Sequence, residues 1–470
     1  MNPKGQANQG PLARSWTPSP AGWADGPGPL HQRLAASIES AIARGELAPG
    51  VALPTERDLA ELASVSRSTA AHAYRTLKQA GRIDSRQGRG TWVAEPRSAL
   101  RGTAGGIAPV LINPDDAIDL SLAASAPSPE LWAAIDDAVV RSRRSLAGVG
   151  YDPAGLAELR AAVGDRPDEV LITSGAQQAI SLVVDELVAP GAAVVVEDVT
   201  YVGVIDAARR VGAHLVAVPT GIDGVDVDAL VEAVERHRPA LVYLNPTHHS
   251  PSGSVLPDAG RAAIADLSRR TRTPVVDDTT LAALAFDAER RPRPLGSFDL
   301  GAPIITIGSL SKSMWAGLRV GWVRADRRLV ERLTRRRMVA DLGGSLLSQA
   351  VALELFGRLD VLAAARADEL GGHHRHLVDL LHRHFPEWVP ADVRGGTAAW
   401  VRVPGDASRF ARRAAEHGVH VVAGPDLSPH GGAADHLRLA LGPSTDLLDE
   451  AVRRLAVAWS TAPDRPAIVV

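Results

Sequence analysis

A chain of 470 residues is too long for one ordinary hydrophobic core, so two or more domains are expected. The formal net charge of −3 excludes a generally basic protein, so any nucleic-acid-binding surface must be local. The absence of cysteine excludes disulfide bonds, thiolate catalysis and cysteine-ligated zinc. It agrees with a cytoplasmic location, and no apolar run approaches the roughly 18 residues of a membrane-spanning helix.

The first 95 residues divide into a tail and a small helical domain. Residues 1–27 are rich in Gly, Pro and Ser without the apolar segment of a signal peptide, which predicts a disordered tail. In residues 28–95, apolar residues at helical spacing predict three helices, over 31–44, 53–63 and 67–80. Thr55 and Ser66 are the expected N-caps of the second and third helices. Residues 83–93 predict a two-stranded ribbon that turns at 88–90, and the whole describes a winged helix-turn-helix.

Basic residues concentrate in the third helix and the ribbon. From Ser66 to Arg89 there are six basic residues and one acidic residue, a balance that contact with DNA phosphates requires. The alternative is a small helical domain with a solvated basic face. The segments Leu53-Pro-Thr-Glu-Arg57, Val65-Ser-Arg-Ser-Thr69 and Arg86-Gln-Gly-Arg-Gly-Thr91 resemble the DNA-binding domain of GntR regulators, in the same order and spacing. This resemblance implies a double-stranded DNA operator as partner and six candidate DNA contacts: Arg57, Ser66, Arg67, Ser68, Thr69 and Gly90.

A linker is predicted over 96–117, and short β-rich runs then alternate with helical stretches as far as residue 462. The predicted strands begin near Val170, Ala193, His214, Ala240, Pro274 and Ile304. This alternation predicts an α/β domain whose mostly parallel sheet is covered on both faces, followed by a small C-terminal subdomain. Ligands of such sheets bind beyond the carboxyl ends of the strands, where the motifs described next are found.

The strand near Ile304 ends in small hydroxyl residues, and Lys312 follows, with Arg319 seven positions later beside Val320-Gly321. This stretch resembles the lysine segment of fold-type I pyridoxal-phosphate enzymes, most closely the aminotransferase-like domain of MocR regulators. The chemistry fits because a lysine amine can hold the aldehyde of pyridoxal 5′-phosphate as an imine. Ser309 and Arg319 match the positions that bind the phosphate. A surface Ser/Lys turn is the alternative for this stretch taken alone.

The resemblance extends over residues 118–460 and implies further roles. Ser174, Gly175 and Ala176 open a helix after a strand, where backbone N–H groups can bind the phosphate. Tyr201 is placed to stack on the pyridine ring, and Asn245, in a loop resembling the family's Asn-Pro-x-x-Pro-x-Gly, to bind the ring hydroxyl. Tyr151 is implied to reach the cofactor phosphate of a partner subunit, which predicts a homodimer. Arg438 is implied to bind a substrate carboxylate.

The pyridine nitrogen needs a carboxylate, and the sequence offers Asp277 and Asp278. The residues alone leave the choice open, although alignment of Leu284 and Phe286 with the family pattern favours Asp278. The chain departs from the family in two places. Thr279, Thr280 and Leu281 occupy the region of a tyrosine that touches the ring hydroxyl, and the connection over 160–170 is short.

Metal ligation is not expected at His248 and His249, because no carboxylate or third histidine lies at ligand spacing nearby. The combined motifs predict a transcriptional regulator that senses pyridoxal 5′-phosphate, an amino acid or an amine, with little or no catalytic turnover. One alternative is a working aminotransferase with an accessory DNA-binding module. Another is a regulator whose large domain has lost the cofactor and serves only in dimerisation.

Overall fold

The structure is a computed structural model that describes residues 29–43, 47, 51–79, 82–86, 90–93, 117–142, 149–287, 292–298 and 301–460. The predicted tail, nearly all of the predicted linker and the turn at 88–89 lie outside these residues. The chain separates into two compact units, residues 1–104 and 105–470. In the described part of the chain no helix is long and apolar enough to cross a membrane.

The smaller unit contains the three predicted helices, α1 (Leu30–Ala43), α2 (Glu56–Leu62) and α3 (Arg67–Gln79). The Thr55 hydroxyl accepts the N–H of Asp58 at 3.2 Å, and the Ser66 hydroxyl accepts the N–H of Thr69 at 3.1 Å. Both side chains therefore satisfy N–H groups that the first turn of a helix leaves without partners.

The wing of the smaller unit has one more strand than the sequence predicts. Strands β1 (Ala52–Leu53), β2 (Ile83–Arg86) and β3 (Gly90–Val93) form an antiparallel sheet in the order β1-β3-β2. The added strand β1 is two residues long, too short for its alternation to be visible in the sequence. The Tyr74 hydroxyl of α3 donates to the carbonyl of Pro54 at 2.8 Å, which ties α3 to the segment after β1.

The larger unit is built on a mostly parallel sheet, as predicted. Among the described residues it has eight strands in the order β5-β12-β11-β10-β9-β6-β7-β8. The strands are β5 (Val170–Thr173), β6 (Ala193–Asp198), β7 (His214–Gly221), β8 (Gly224–Val225), β9 (Leu241–Leu244), β10 (Val275–Asp278), β11 (Ile304–Ser309) and β12 (Gly321–Arg324). Strands β7, β6, β9, β10 and β11 pair in parallel, whereas β12 is antiparallel to both β11 and β5.

Helices cover both faces of this sheet and bury its apolar side chains. They are α4 (Pro129–Ser142), α5 (Ala157–Val163), α6 (Ala176–Leu187), α7 (Val202–Arg210), α8 (Val227–His237), α9 (Asp258–Thr271), α10 (Arg327–Ala340) and α11 (Leu346–Phe356). Residues on α6, α7 and α10 pack with Tyr243 and Val276, and residues on α8 and α9 pack with Val242 and Val275. Successive strand residues therefore enter opposite cores, which is why the strands read as continuous apolar runs.

A small C-terminal subdomain completes the larger unit. Its elements are α12 (Leu359–His384), β13 (Val389–Pro390), β14 (Ala398–Arg402), α13 (Ala407–Glu416), β15 (Val419–His420), β16 (Val422–Ala423), β17 (His436–Ala440) and α14 (Thr445–Ser460). Strands β13, β14, β17 and β16 form one sheet, and β15 pairs in parallel with β4 (Ile118–Asp119). The segment just after the predicted linker is therefore part of this subdomain.

Candidate functional site

Lys312 lies in the turn after β11, at the carboxyl edge of the large sheet. Its Nζ donates to the carbonyl of Ala123 at 2.7 Å. Burial and the nearby positive charge of Arg438 together lower the pKa of Lys312 to about 8, against the opposing effect of the negative charge of Asp278. The uncharged amine, which attack on an aldehyde requires, is therefore a minor form at pH 7 but far more abundant than for an exposed lysine.

Asp277 and Asp278 point to opposite faces of β10, because side chains alternate along a strand. Asp277 Oδ2 accepts the backbone N–H of Leu295 at 2.8 Å. Asp278 instead faces the Lys312 side of the sheet, and the lysine charge acts on it. Burial raises the pKa of Asp278, while hydrogen bonds from Thr280 and Tyr243 lower it. The geometry favours Asp278 over Asp277 as the carboxylate for a ring nitrogen.

Tyr243 is a site residue that the sequence analysis missed. Its hydroxyl donates to Oδ2 of Asp278 at 2.5 Å, while Thr280 donates to Oδ1 through its hydroxyl at 2.6 Å and its N–H at 3.0 Å. Tyr243 is two residues before Asn245 on β9, so the available signal was the shared strand face. The region two to three residues after Asp278 lacks the tyrosine expected from the family, and Thr280 in that region donates to the Asp278 carboxylate instead.

Asn245 follows β9 and is fully enclosed. Its Nδ2 donates to the carbonyl of Asp278 at 3.2 Å, and its Oδ1 accepts the N–H of Ser250 at 3.1 Å. The amide nitrogen has a second hydrogen, which can serve a ring hydroxyl. Asn245 and Asp278 are thus placed together by neighbouring strands, as the motif order predicts.

Tyr201 directly precedes α7 and lies against the same space. Burial and the negative charge of Asp278 raise the pKa of Tyr201, and the charges of Arg438 and Arg319 oppose this shift. The phenol therefore stays protonated near neutral pH. A Cβ at Gly203 would overlap the Tyr201 ring, so the absence of a side chain at Gly203 makes room for the aromatic ring.

A candidate anion site lies at the start of α6. Gly175 is its N-cap, with a left-handed φ of 102° that favours glycine. The Arg319 guanidinium donates to the carbonyl of Ser174 at 2.5 Å. A Cβ at Gly175 would be 3.3 Å from that guanidinium. A helix N-terminus beside an exposed arginine suits a phosphate. The Ser309 hydroxyl is buried and bonds to Ser311 Oγ at 3.0 Å and to the Val320 carbonyl at 3.2 Å, so it holds the lysine turn together.

Arg438 on β17 brings a buried positive charge to this group. Its guanidinium donates to the carbonyl of Ser121, and its Nε lacks a hydrogen-bond partner within the described residues. Burial lowers the pKa of Arg438 to about 10, although Tyr201 and Asp119 favour the charged form. An enclosed guanidinium with a free N–H suits a carboxylate ligand.

Three residues that the sequence analysis considered, Tyr151, His248 and His249, lie outside this group. Tyr151 is 71% exposed and does not join the enclosed residues. His248 and His249 are both buried, and His249 Nε2 is 3.5 Å from Oε2 of Glu197. Among the described residues, no group of three or more His, Asp or Glu side chains could hold a metal ion.

The predicted DNA contacts of the smaller unit gather at the start of α3. Ser66, Arg67 and Ser68 are exposed there, and the Ser66 hydroxyl is 2.8 Å from both Ser68 Oγ and Thr69 Oγ1. Arg57 is also exposed, with Nε 3.4 Å from Glu61 Oε1.

On the wing of the same unit, Gly90 begins β3 with a φ of 88° and is exposed. Arg82 is less available than the sequence implied, because its Nε lies 2.8 Å from Glu39 Oε1.

Comparison with known families agrees with these two units. Residues 30–93 match the family described as bacterial regulatory proteins of the gntR family, and residues 120–455 match aminotransferase class I and II. The chain therefore belongs to the aminotransferase class I and II family over most of its length.

Individual relatives fall into two groups. A 2-aminoadipate transaminase of Thermus thermophilus is 33% identical over 72% of this chain and 89% of its own. The uncharacterized HTH-type transcriptional regulator YisV of Bacillus subtilis is 30% identical over 69% of this chain and 73% of its own. A similar regulator of Escherichia coli, YjiR, is 27% identical over 91% and 98%. The crystal structure of LysN, the α-aminoadipate aminotransferase of Thermus thermophilus complexed with N-(5′-phosphopyridoxyl)-L-leucine, superposes with a TM-score of 0.70 at 31% identity, covering 77% of this chain and 96% of that one.

Proposed function

Because the chain is of the MocR type, in which a GntR winged helix-turn-helix is joined to an aminotransferase class I and II domain, we propose that it is a transcriptional regulator that binds an operator and senses pyridoxal 5′-phosphate or an amine. The observation that carries this proposal is that one chain contains both a winged helix-turn-helix and a pocket formed around Lys312, Asp278 and Asn245. The HTH-type regulator YjiR matches 91% of the chain, whereas the transaminase matches 72%.

The smaller unit supplies the DNA-binding surface. The exposed guanidinium groups of Arg57 and Arg67 can neutralise phosphates, and Gly90 lets the wing backbone approach the duplex. Ser68 and Thr69, at the start of the recognition helix, lie where side chains reach base edges in the major groove.

The pocket residues fit pyridoxal 5′-phosphate. Lys312 offers a partly neutral amine for the aldehyde, Asp278 a carboxylate for the ring nitrogen, and Asn245 an amide N–H for the ring hydroxyl. Arg319 and the first turn of α6 offer a cation and free N–H groups for the phosphate. When bound, the cofactor supplies an electron-accepting ring for amines.

The rest of the pocket recognises a ligand. Arg438 has an unpartnered buried N–H among the described residues and can bind a carboxylate, while Tyr201 can cover one face of a ring. An amino acid offers an amine for the Lys312 site and a carboxylate for Arg438, whereas a simple amine offers only the first. The charge on Arg438 also lowers the pKa of the Lys312 amine and so makes its uncharged form more accessible.

A ligand can regulate DNA binding only if it favours one of two states of the protein. The segment between β4 and α4 provides a contact that can differ between states. The carbonyls of Ser121 and Ala123 accept hydrogen bonds from Arg438 and Lys312. A ligand that binds both cations competes with these carbonyls, and only the two residues of β4 separate this segment from the predicted linker.

A second copy of the chain completes the site in this proposal. Tyr151 is exposed, and Gly150 and Gly155 nearby have φ values of 88° and 93°, so a bent loop presents the phenol to its surroundings. The family resemblance implies contact with the partner's cofactor phosphate. Tyr151→Phe should therefore weaken cofactor binding without changing the fold, which absorbance titration and circular dichroism measure.

A working aminotransferase is the second candidate function. It is favoured by the similarity to the Thermus transaminase and by the position of the half-buried Lys312 beside the buried Asp278 and Arg438. The substitution of threonine for the family tyrosine beside Asp278 favours the regulator.

One experiment separates the two candidates. The operator is selected from a library of random-sequence duplexes, and the full-length protein is titrated with pyridoxal 5′-phosphate and then with amino acids and amines. Visible absorbance, operator affinity and keto acid are measured in the same samples. A regulator gives a visible band and a ligand-dependent change in operator affinity without keto acid. Samples that also contain a different 2-oxo acid as amino-group acceptor test for turnover, and steady formation of the keto acid derived from the added amino acid supports the enzyme. The absence of any band overturns the cofactor assignment.

The variant Lys312→Ala is the matched control for this experiment. It removes the amine while leaving the smaller unit untouched, so the visible band should disappear and the duplex should still bind. A band of unchanged intensity would place the covalent attachment on another residue.

A further inference from the structure

The Ser174 peptide, at the candidate anion site, is held on both sides by side chains. Its carbonyl accepts the Arg319 guanidinium at 2.5 Å, and its N–H donates to Oε1 of Gln178 at 2.7 Å. Gln178 lies in the first turn of α6, three residues after the N-cap Gly175. From that position a glutamine can reach back to the backbone N–H groups that precede a helix. Gln178 therefore fixes the bend that leads from β5 into α6.

Asp341 determines which way the Gln178 amide faces. Its Oδ2 accepts Nε2 of Gln178 at 2.5 Å, and its Oδ1 accepts the N–H of Gly343 at 2.9 Å and Nε of Arg337 at 3.2 Å. Burial raises the pKa of Asp341, but the hydrogen bonds from Gly343 and Gln178 and the charge of Arg337 bring it below its ordinary value. The ionised carboxylate can only accept hydrogen bonds. Gln178 must therefore turn its NH₂ group to Asp341, which leaves its oxygen for Ser174.

The turn that carries Asp341 is itself anchored in the larger unit. Arg337 is 0% exposed, and its terminal nitrogens have no hydrogen-bond partner among the described residues, so Asp341 is its principal counter-ion. Gln349 of α11 donates to the carbonyl of Gly344 at 3.4 Å and accepts the N–H of Leu156 at 2.9 Å. A buried cation and a second loop of the chain therefore hold this turn in place.

We propose that Gln178 and Asp341 are positioning residues for the cofactor phosphate, a role that rests on the function proposed above. Gln178 holds the Ser174 peptide, so that its carbonyl orients Arg319 and the first turn of α6 keeps its N–H groups directed at the anion site. Asp341 acts through Gln178, because it fixes the orientation of that amide.

Gln178→Met tests the first of these two roles. Methionine has a similar length but cannot accept the Ser174 N–H. We expect the affinity of the full-length chain for pyridoxal 5′-phosphate to fall about tenfold, whereas its affinity for pyridoxal, which has no phosphate, should stay within about twofold. Absorbance titration measures both, with Lys312→Ala as the blank for imines formed elsewhere. Equal changes in the two affinities, or no change in either, would contradict the proposal.

Asp341→Asn separates positioning from simple electrostatics by the sign of its effect. Removal of a negative charge near an anion should by itself strengthen phosphate binding. The asparagine NH₂ group, however, must face either Gln178 or the pair Gly343 and Arg337, which are all donors, so hydrogen bonds of the network are lost. We therefore expect binding of pyridoxal 5′-phosphate to weaken by about fivefold. Unchanged or stronger binding would overturn the role of Asp341.

Asp226→Ala is the matched control for a general loss of stability. Asp226 caps α8 by accepting the N–H of Ala229 at 3.0 Å, and α8 packs on the opposite face of the sheet from α6. Its loss should lower the unfolding temperature and leave both affinities unchanged. If Asp226→Ala weakens binding of pyridoxal 5′-phosphate as much as Gln178→Met does, the effect is one of stability and the positioning proposal fails.

A second readout needs no bound cofactor. Inorganic phosphate should raise the unfolding temperature of the cofactor-free chain, and the rise should be smaller in Gln178→Met. An equal rise in the two chains would contradict the positioning role. If the original chain forms no visible band with pyridoxal 5′-phosphate, the proposed function fails, while the phosphate measurement still tests the network at the anion site.

Discussion

The hydroxyl of Tyr243 is a single atom whose removal tests how the site holds its carboxylate. Tyr243 and Asp278 are 1% and 3% exposed, and their hydrogen bond is 2.5 Å long. Phenylalanine fills the same space, so Tyr243→Phe removes the hydrogen bond without opening a cavity. Hydrogen bonds to charged groups contribute about 1.5–3 kcal/mol, and we expect the free energy of unfolding of the larger unit to fall by this amount.

The decrease in the free energy of unfolding caused by Tyr243→Phe should depend on pH, because protonation of Asp278 removes the negative charge that accepts the hydrogen bond. Donation from Tyr243 lowers the pKa of Asp278, against the effect of burial. Without it the pKa of Asp278 rises, so the variant is penalised most where Asp278 is ionised and least in acid. Urea unfolding of the full-length chain in mildly acidic and mildly alkaline buffer measures both values.

Tyr74→Phe is a control with the same chemical change. The Tyr74 hydroxyl donates to an uncharged carbonyl, that of Pro54, at 2.8 Å. Its loss should cost about 1 kcal/mol in the smaller unit, with no dependence on the ionisation of the acceptor. The reasoning about Asp278 is refuted if Tyr243→Phe costs less than about 0.5 kcal/mol or costs the same amount at both pH values.

The remaining predictions concern the DNA-binding surface and the shape of the pocket. Arg67→Ala should weaken operator binding and reduce the slope of log affinity against log salt by about 1, whereas Arg82→Ala should change the slope less because Glu39 already binds that guanidinium; equal slopes would contradict this. Ser66→Ala should destabilise the smaller unit by about 1 kcal/mol in thermal unfolding, and no change would exclude its N-cap role. Gly203→Ala should displace the Tyr201 ring and weaken cofactor binding in absorbance titration; unchanged affinity would show that the ring does not contact the cofactor.

The fold was predictable because its signals are local. The N-caps Thr55 and Ser66 and the apolar strand runs each act within a few residues, and both caps lie where expected. Strand β1 was not predicted because two residues carry no measurable alternation. Its pairing with β3 depends on residues nearly forty positions later, which no local pattern contains.

The site was predictable only where the family motifs placed residues at strand ends. Lys312, Asp278 and Asn245 meet at one edge because neighbouring parallel strands end there. The buried partner Tyr243 was not identified, because a tyrosine within an apolar strand resembles ordinary packing until the neighbouring strands are known. The register that pairs Tyr243 with Val276, two residues before Asp278, explains the contact.

The pairing of β4 with β15 has a consequence for the order in which the protein matures during synthesis. The described elements of the smaller unit are complete by Val93, so this unit can fold as soon as it leaves the ribosome. The carbonyl of Ser121 can accept its hydrogen bond from Arg438, and Ile118 can pair with Val419, only after those later residues have been synthesised. The larger unit therefore cannot complete its fold until nearly the whole chain has been made. A nascent chain therefore has a complete gntR-family unit before it has a complete aminotransferase-like unit, and premature termination would release the first without the second.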